Sequence, residues 1–148
     1  DEAGNLGFKR LGGYIFGGNQ SKQSIAMTAP VSQSKSEKIA MTAPVNQSDL
    51  GNGQWRVSFV MPDKYTLETL PTPNDKNVYF LSVPARKVLV IRFSGRWTDK
   101  NFNEHEQYLM QTLKANNLKS KGAPWTARYN PPIMPSFMRR NEVMIEVR

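Results

Sequence analysis

His105 is the only histidine in the 148-residue chain, and there is no cysteine. Without cysteine there can be no disulfide, thiolate nucleophile, iron–sulfur cluster or cysteine-bound zinc. A Ser-His-Asp arrangement would have to pass through His105, and no serine sits in the glycine-flanked pattern of a nucleophile elbow. Glu104 and Glu106 flank that histidine two residues apart, so on a helix they point away from one another and cannot act as a paired acid and base. Gly13 to Gly18 has the spacing of a phosphate-binding loop, but Asn19 stands where its lysine belongs, and the segment closes a helix instead of opening one. With dispersed carboxylates, a catalytic metal site is not expected either. This inventory argues against an enzyme.

Binding chemistry remains. As an axial heme ligand His105 would have to face a pocket; it falls off the stripe of Phe102, Leu109 and Leu113 and is expected on the surface, a weak candidate. Met27 and Met41 can in principle ligate iron, but they fall on apolar strand faces, where methionine fills core. Arg139-Arg140-Asn141-Glu142 has two readings. The arginines can grip a carboxylated ligand, or they can pair with Glu142, Glu146 or backbone carbonyls to order the last strand. The 20 basic and 12 acidic residues leave a net charge of +8, which favours anionic partners. The cations are scattered, in nothing longer than pairs such as Lys9-Arg10, Arg86-Lys87 and Arg139-Arg140. No nucleic-acid-binding signature accompanies them, so nucleic acid is not an expected partner. No apolar run approaches the roughly 18 to 20 residues that cross a bilayer. The opening Asp1-Glu2 is not the start of a signal peptide, and the absence of cysteine leaves the compartment unread, cytoplasm or periplasm.

The elements that would position these groups follow from hydrophobic spacing. Gly4 to Phe16 reads as an amphipathic helix with Leu6, Phe8, Leu11, Ile15 and Phe16 apolar, ended by Gly17-Gly18-Asn19. Gly12 and Gly13 each cost a helix about 1 kcal/mol relative to alanine. They reflect either close packing or room left for a flat ligand. The heptapeptide Ile25 to Val31 then recurs identically as Ile39 to Val45. Apolar residues at alternate positions in both copies predict two half-buried strands, joined as a hairpin by 32–38. Gln54 to Met61 is a further strand stopped by Pro62. Asp63 to Lys76, with Leu70-Pro71-Thr72-Pro73-Asn74-Asp75, reads as a connector between a first half (1–62) and a second half (77–148). The second half predicts strands at Asn77 to Val83 and Val88 to Phe93, and a helix from Asp99 to Asn117 capped by Thr98 or Asp99. Strands at Trp125 to Tyr129 and Glu142 to Val147 complete it. Overlaid on that order, the first half lacks two leading strands. The expected architecture is α+β: pseudo-duplicated β-β-α-β-β halves closing a barrel, with the first two strands absent from this chain. A longer precursor or a second chain would supply them.

Several of these stretches together resemble the SOUL family of heme-binding proteins. They are Gly7-Phe8, Leu11-Gly12-Gly13-Tyr14-Ile15, Gly17-Gly18-Asn19, the Ala-Met-Thr-Ala-Pro-Val strand, Phe59-Val60-Met61-Pro62 and Leu70-Pro71-Thr72-Pro73. Arg92-Phe93-Ser94-Gly95, Tyr129-Asn130-Pro131-Pro132 and Arg139-Arg140-Asn141-Glu142-Val143 complete the set, in the family's order and over nearly the whole chain. The resemblance implies a distorted β-barrel flanked by two helices, like that of gyrase-inhibitor-type effector-binding domains, with a strand pair before the first helix that this chain lacks. It also implies a non-enzymatic site for heme or another flat, apolar, anionic tetrapyrrole, not needed for folding, in a cleft beside the first helix. Carried onto this chain, the cleft would use Leu11, Gly12 and Ile15 with Ile133, Met134 and Phe137. Gly13 and Met134 stand where animal members place lysine, so the propionate partners would come from Lys9, Arg10, Arg139 or Arg140. The alternative expectation is a protein-interaction module that uses an exposed barrel edge or the apolar cleft.

Overall fold

A computed structural model describes residues 2–22 and 36–148. In chain order the elements are α1 (Glu2–Ile15), β1 (Asn19–Gln20), β2 (Val45–Gly51), β3 (Gln54–Phe59) and β4 (Thr72–Pro73), followed by β5 (Lys87–Phe93), α2 (Asp99–Ala115), β6 (Ser120–Arg128), a 3-10 turn (Ser136–Met138) and β7 (Asn141–Val147). They belong to two compact units, Asp1–Thr42 with Met61–Ser82 and Ala43–Val60 with Val83–Arg148.

The first unit is built around the end of α1. The helix stops where the sequence predicts. Gly17, at φ +120°, donates to the Tyr14 carbonyl (3.4 Å), and Gly18 donates to the Gly13 carbonyl (2.8 Å). That pair of bonds satisfies carbonyls that the helix itself leaves open. Asn19 follows at once and is almost wholly buried. Its Nδ2 donates to the carbonyls of Tyr14 and Glu37, each at 2.7 Å, and its Oδ1 accepts from the Glu37 N–H at 2.8 Å. Residues 19 and 20 then pair antiparallel with β4, Asn19 opposite Pro73 and Gln20 opposite Thr72. The Asn74 N–H reaches the Gly18 carbonyl (3.0 Å), and the Tyr14 hydroxyl donates to the Pro71 carbonyl (2.8 Å). The buried apolar side chains of this unit are Tyr14, Ile15, Ile39, Leu70 and Val78. Leu6, Phe8 and Phe16, expected on the apolar face of α1, are exposed. Apolar residues lie all round this helix; Gly4, Gly12, Tyr14 and Ile15 are buried and Leu11 is half-buried.

The second unit is one antiparallel sheet in the order β3-β2-β6-β7-β5, with α2 against one face. Phe102, Leu109 and Leu113 of α2 meet Phe93, Val143 and Ile145, with Leu89, Ile91, Trp97 and Val147 packed around them. These are the alternate residues of β5 and β7, as a sheet with one covered face requires. Thr98 is the N-cap, its side chain accepting from the Asn101 N–H, and Asn117 at φ 52° closes the helix.

The α+β class stands, but among the described residues the strands form no closed barrel. Among the described residues β3 and β5 are sheet edges, each with a single ladder partner. Other expectations also change. The first heptapeptide copy lies outside the described residues. The second is not a strand: Ile39 is buried but Met41 is 51 % exposed, and pairing starts only at Val45, after Pro44, which has no N–H to donate. The residues that do pair, Asn46 to Gly51, are mostly polar and gave no alternation to read. Asn77 to Val83 is not a strand either. Val78 is buried and Phe80 meets Tyr14 edge-on (5.7 Å), while Tyr79, Leu81 and Val83 are exposed. β6 begins five residues before the predicted Trp125, across a register shift between Lys121 and Trp125. Among the described residues no helix is long and apolar enough to cross a membrane.

Replacing Asn19 with alanine takes a partner from two backbone carbonyls and one backbone N–H around the end of α1. The expected result is a loss of about 2 to 4 kcal/mol of unfolding free energy, measured by denaturant unfolding. A loss below about 0.5 kcal/mol would show that water replaces the side chain without penalty.

Candidate functional site

Leu6, Lys9, Arg10 and Gly13 stand at i, i+3, i+4 and i+7 on α1, so they share one face of the helix. Together with Tyr14, Gly18, Asn74 and Asp75 they line an open groove of about 360 Å³ within the first unit. The helix forms one wall. The other is the corner after β4, which the Asn74–Gly18 hydrogen bond and the β1·β4 pairing hold in place.

Gly13 is the singular feature of this face. A Cβ built on it would meet nothing within 4 Å, whereas one on Gly18 would sit 2.7 Å from the Gly13 carbonyl. Gly18 is therefore required by a close approach of backbone to backbone, and Gly13 is not required by packing among the described residues. It nevertheless carries the propensity cost of a helical glycine, about 1 kcal/mol. What it provides is a bare stretch of helix backbone in the groove, flanked by the apolar Leu6 and the body of Tyr14.

Charge enters from both walls. The Arg10 Nε lies 3.8 Å from Asp75 Oδ2. Asp75 Oδ1 accepts from the Asn77 N–H (2.8 Å) and from Asn77 Nδ2 (2.9 Å). These two hydrogen bonds, and then the Arg10 charge, hold the Asp75 carboxyl below its ordinary value of 3.8. Lys9 is exposed at the rim. Burial pushes the Tyr14 hydroxyl up to about 12, with Tyr65 and the Glu37 carboxylate adding to the shift.

The lining offers apolar flanks and charged groups and few metal ligands. It contains no histidine, cysteine or methionine. Tyr14, the one phenol, is committed to the Pro71 carbonyl and resists becoming the phenolate that binds iron. Among the described residues no cluster of three or more His, Asp or Glu side chains is placed to hold a metal ion.

Of the residues singled out from the sequence, Lys9 and Arg10 line this groove. Leu11 is half-buried, and Gly12 and Ile15 are buried. At about 100° per residue these three fall on the side of α1 turned away from it. Ile133, Met134 and Phe137 belong to the second unit. Ile133 is 91 % and Phe137 75 % exposed, and Met134 is half-buried. Their loop is held by Arg139, whose Nε donates to the Met134 carbonyl (2.8 Å) and Nη2 to the Pro132 carbonyl (2.6 Å), with the guanidinium 4.4 Å from the Trp97 ring. Arg140 donates to Glu142 Oε1 from Nε (2.9 Å) and Nη2 (2.6 Å), while the Tyr129 hydroxyl donates to Oε2 (2.7 Å). Both arginines thus follow the structural of their two readings. His105 is half-buried instead of solvated, its ring stacked on Phe93 at 3.8 Å. Its Nδ1 lies 2.7 Å from the Asn101 carbonyl and so carries the proton. Met27 lies outside the described residues.

Leu6, Tyr14, Asn74 and Asp75 were not among the expected site residues. Leu6 and Tyr14 are on the face that the spacing of Lys9, Arg10 and Gly13 defines. Asn74 and Asp75 are distant in sequence, in a segment that carried no signal beyond its prolines.

Two outcomes follow. Gly13→Ala should raise the unfolding free energy by about 0.5 to 1 kcal/mol; a loss of stability would mean the position is sterically closed. Asp75, with its pKa lowered by folding, adds stability that is fully present above pH 3.8 and is lost as pH falls through its lowered value. Wild type and Asp75→Asn should therefore differ in stability near neutrality and converge in acid; parallel curves across the acid range would contradict this.

No curated protein matches the chain. The family model described as SOUL heme-binding protein matches residues 1–146, and the chain belongs to that family.

Proposed function

We propose that the chain is a non-enzymatic binding protein that takes heme or a related flat, apolar, anionic tetrapyrrole along the Gly13 face of α1. The observation that carries this reading is the unfilled space over Gly13, in a groove with apolar flanks and a cationic rim. The ring edge would lie over the bare backbone at Gly13 against Leu6 and Tyr14, contributing about 25 cal/mol for each Å² of apolar surface removed from water. Lys9 would meet a carboxylate, beside Arg10 and the Asp75 that Arg10 faces. When bound, heme would bring its iron, but the groove side chains address the ring and its acids. Family membership supports the ligand class.

The cleft implied by the family resemblance, with Leu11, Gly12 and Ile15 and with Ile133, Met134 and Phe137, is a second reading. The exposure of Ile133 and Phe137 on a loop that Arg139 holds in shape favours it. We also read the open sheet as part of a pseudo-duplicated barrel. β2 lies beside β6 at the middle of the strand order, so β3 occupies the place in the first half that β7 occupies in the second. β7 is covered by β5, and in this reading a further strand would cover β3 in the same way.

The test is titration of the protein with hemin, followed at the Soret band, with metal-free protoporphyrin as competitor. Saturable one-to-one binding, with the two ligands within about threefold of one another, is the expected result, because no groove residue selects the metal. Gly13→Trp should abolish uptake while the circular dichroism spectrum is unchanged. Ile133→Ser with Phe137→Ser should leave uptake intact; loss in that variant alone moves the site to the second reading. Non-saturable uptake, or equal uptake of unrelated apolar dyes, would end the tetrapyrrole reading. Concentration-dependent association that Gly13→Trp leaves intact would turn the search to a protein partner.

A further inference from the structure

Resting on that reading of the groove, we propose that Asp75 makes it selective for a ring that carries one carboxylate over a ring that carries two. Two cations, Lys9 and Arg10, line the groove, and so does one acid, Asp75. Asp75 is not a drifting surface carboxylate. Its Oδ1 is fixed by the backbone and side chain of Asn77, and the Asn74 backbone immediately before it is hydrogen-bonded to Gly18 at the end of α1. This frame presents the other oxygen, Oδ2, to Arg10 Nε at 3.8 Å. The groove thus holds one cation already opposed by a built-in carboxylate and a second, Lys9, that makes no ion pair among the described residues.

A ligand with one carboxylate can place it on Lys9 and leave the Arg10–Asp75 pair as it is. A second carboxylate on the same ring edge must either sit against Asp75, where like charges repel, or displace Asp75 from Arg10. Asp75 cannot swing away easily, because its turn with Asn77 holds it. The repulsion acts at a few ångströms beside apolar side chains, where it is worth about a fivefold to tenfold change in affinity. The pair itself is half exposed and long, so its removal costs the fold little. Asparagine at position 75 keeps an oxygen for the Asn77 N–H.

The experiment compares metal-free protoporphyrin with its monomethyl and dimethyl esters, three ligands with one ring and two, one or no charges. Each is titrated by fluorescence into wild type, Asp75→Asn and Gly13→Trp near neutral pH. In wild type the monoester should bind about five to ten times more tightly than the diacid. In Asp75→Asn the diacid should draw level with the monoester or overtake it, and the diester should be unmoved by the change. High salt should narrow the wild-type difference. A monoester-to-diacid ratio that is the same in wild type and Asp75→Asn overturns the selectivity while leaving tetrapyrrole binding in place. Binding of all three that survives Gly13→Trp, or no binding of any, overturns the groove reading and the selectivity with it.

Discussion

The Asn19 side chain takes up three backbone groups, the carbonyls of Tyr14 and Glu37 and the N–H of Glu37, at the point where α1 has ended and the short β1·β4 ladder begins. Every polar group there is buried or nearly so, and an amide that both donates twice and accepts once is the side chain that satisfies them together. Serine, threonine or aspartate lacks that combination. Because Asn19 is fixed, Gly18 is fixed beside it with its N–H on Gly13 and its carbonyl accepting from Asn74. Asn74 in turn sets the position of Asp75. The two walls of the groove, one on the helix and one more than fifty residues later in the chain, are thus referred to a single side chain that itself touches neither ligand-facing cation.

Much of the fold was legible where burial is periodic. α2 was readable because Phe102, Leu109 and Leu113 recur at helical spacing behind a threonine cap, and β5 and β7 because their alternate residues cover one face of the sheet. The failures share a cause. Alternation records that a segment has two faces; it does not record that a partner strand is present. Ile39 to Val45 and Asn77 to Val83 alternate convincingly, yet Pro44 delays pairing in the first and the second is not part of a strand ladder among the described residues. Conversely β2 is held by the ladders on both its sides, to β3 and β6, so its polar side chains need no apolar pattern to keep it in the sheet.

The site was legible only on the helix. Lys9 and Arg10 were identifiable as anion partners, and the Gly12-Gly13 pair signalled either close packing or an open face. The structure separates the two glycines: Gly12 is buried, while Gly13 faces open space. Asp75 was invisible because its importance comes from tertiary placement, opposite a helix more than sixty residues away, and because acids in proline-rich connectors are usually solvated. The arginines at 139 and 140 illustrate the opposite case. Their type and proximity allowed a ligand clamp or pairing that orders the last strand, and the carbonyls of Pro132 and Met134 and the Glu142 carboxylate supply local acceptors. An arginine pair is evidence for an anion site only after its local acceptors have been counted.

Gly13 and the Arg10–Asp75 pair have in common that neither is what stability alone would select. A helical glycine over empty space costs the helix, and a half-exposed pair at 3.8 Å returns little. The same unit contains the opposite kind of site, the fully engaged Asn19 and the Tyr14 hydroxyl committed to Pro71, where a replacement would leave buried polar groups without partners. The Asn19 amide and the Tyr14 hydroxyl are fully engaged, whereas Gly13 faces open space and the Arg10–Asp75 contact is long. A surface that only had to be solvated would have no reason to pair a costly bare backbone with an acid locked opposite a cation. On the proposed reading a surface that admits a flat ring and sorts it by charge uses both, because the bare backbone would set how closely the ring approaches and the locked acid how much negative charge it could bring.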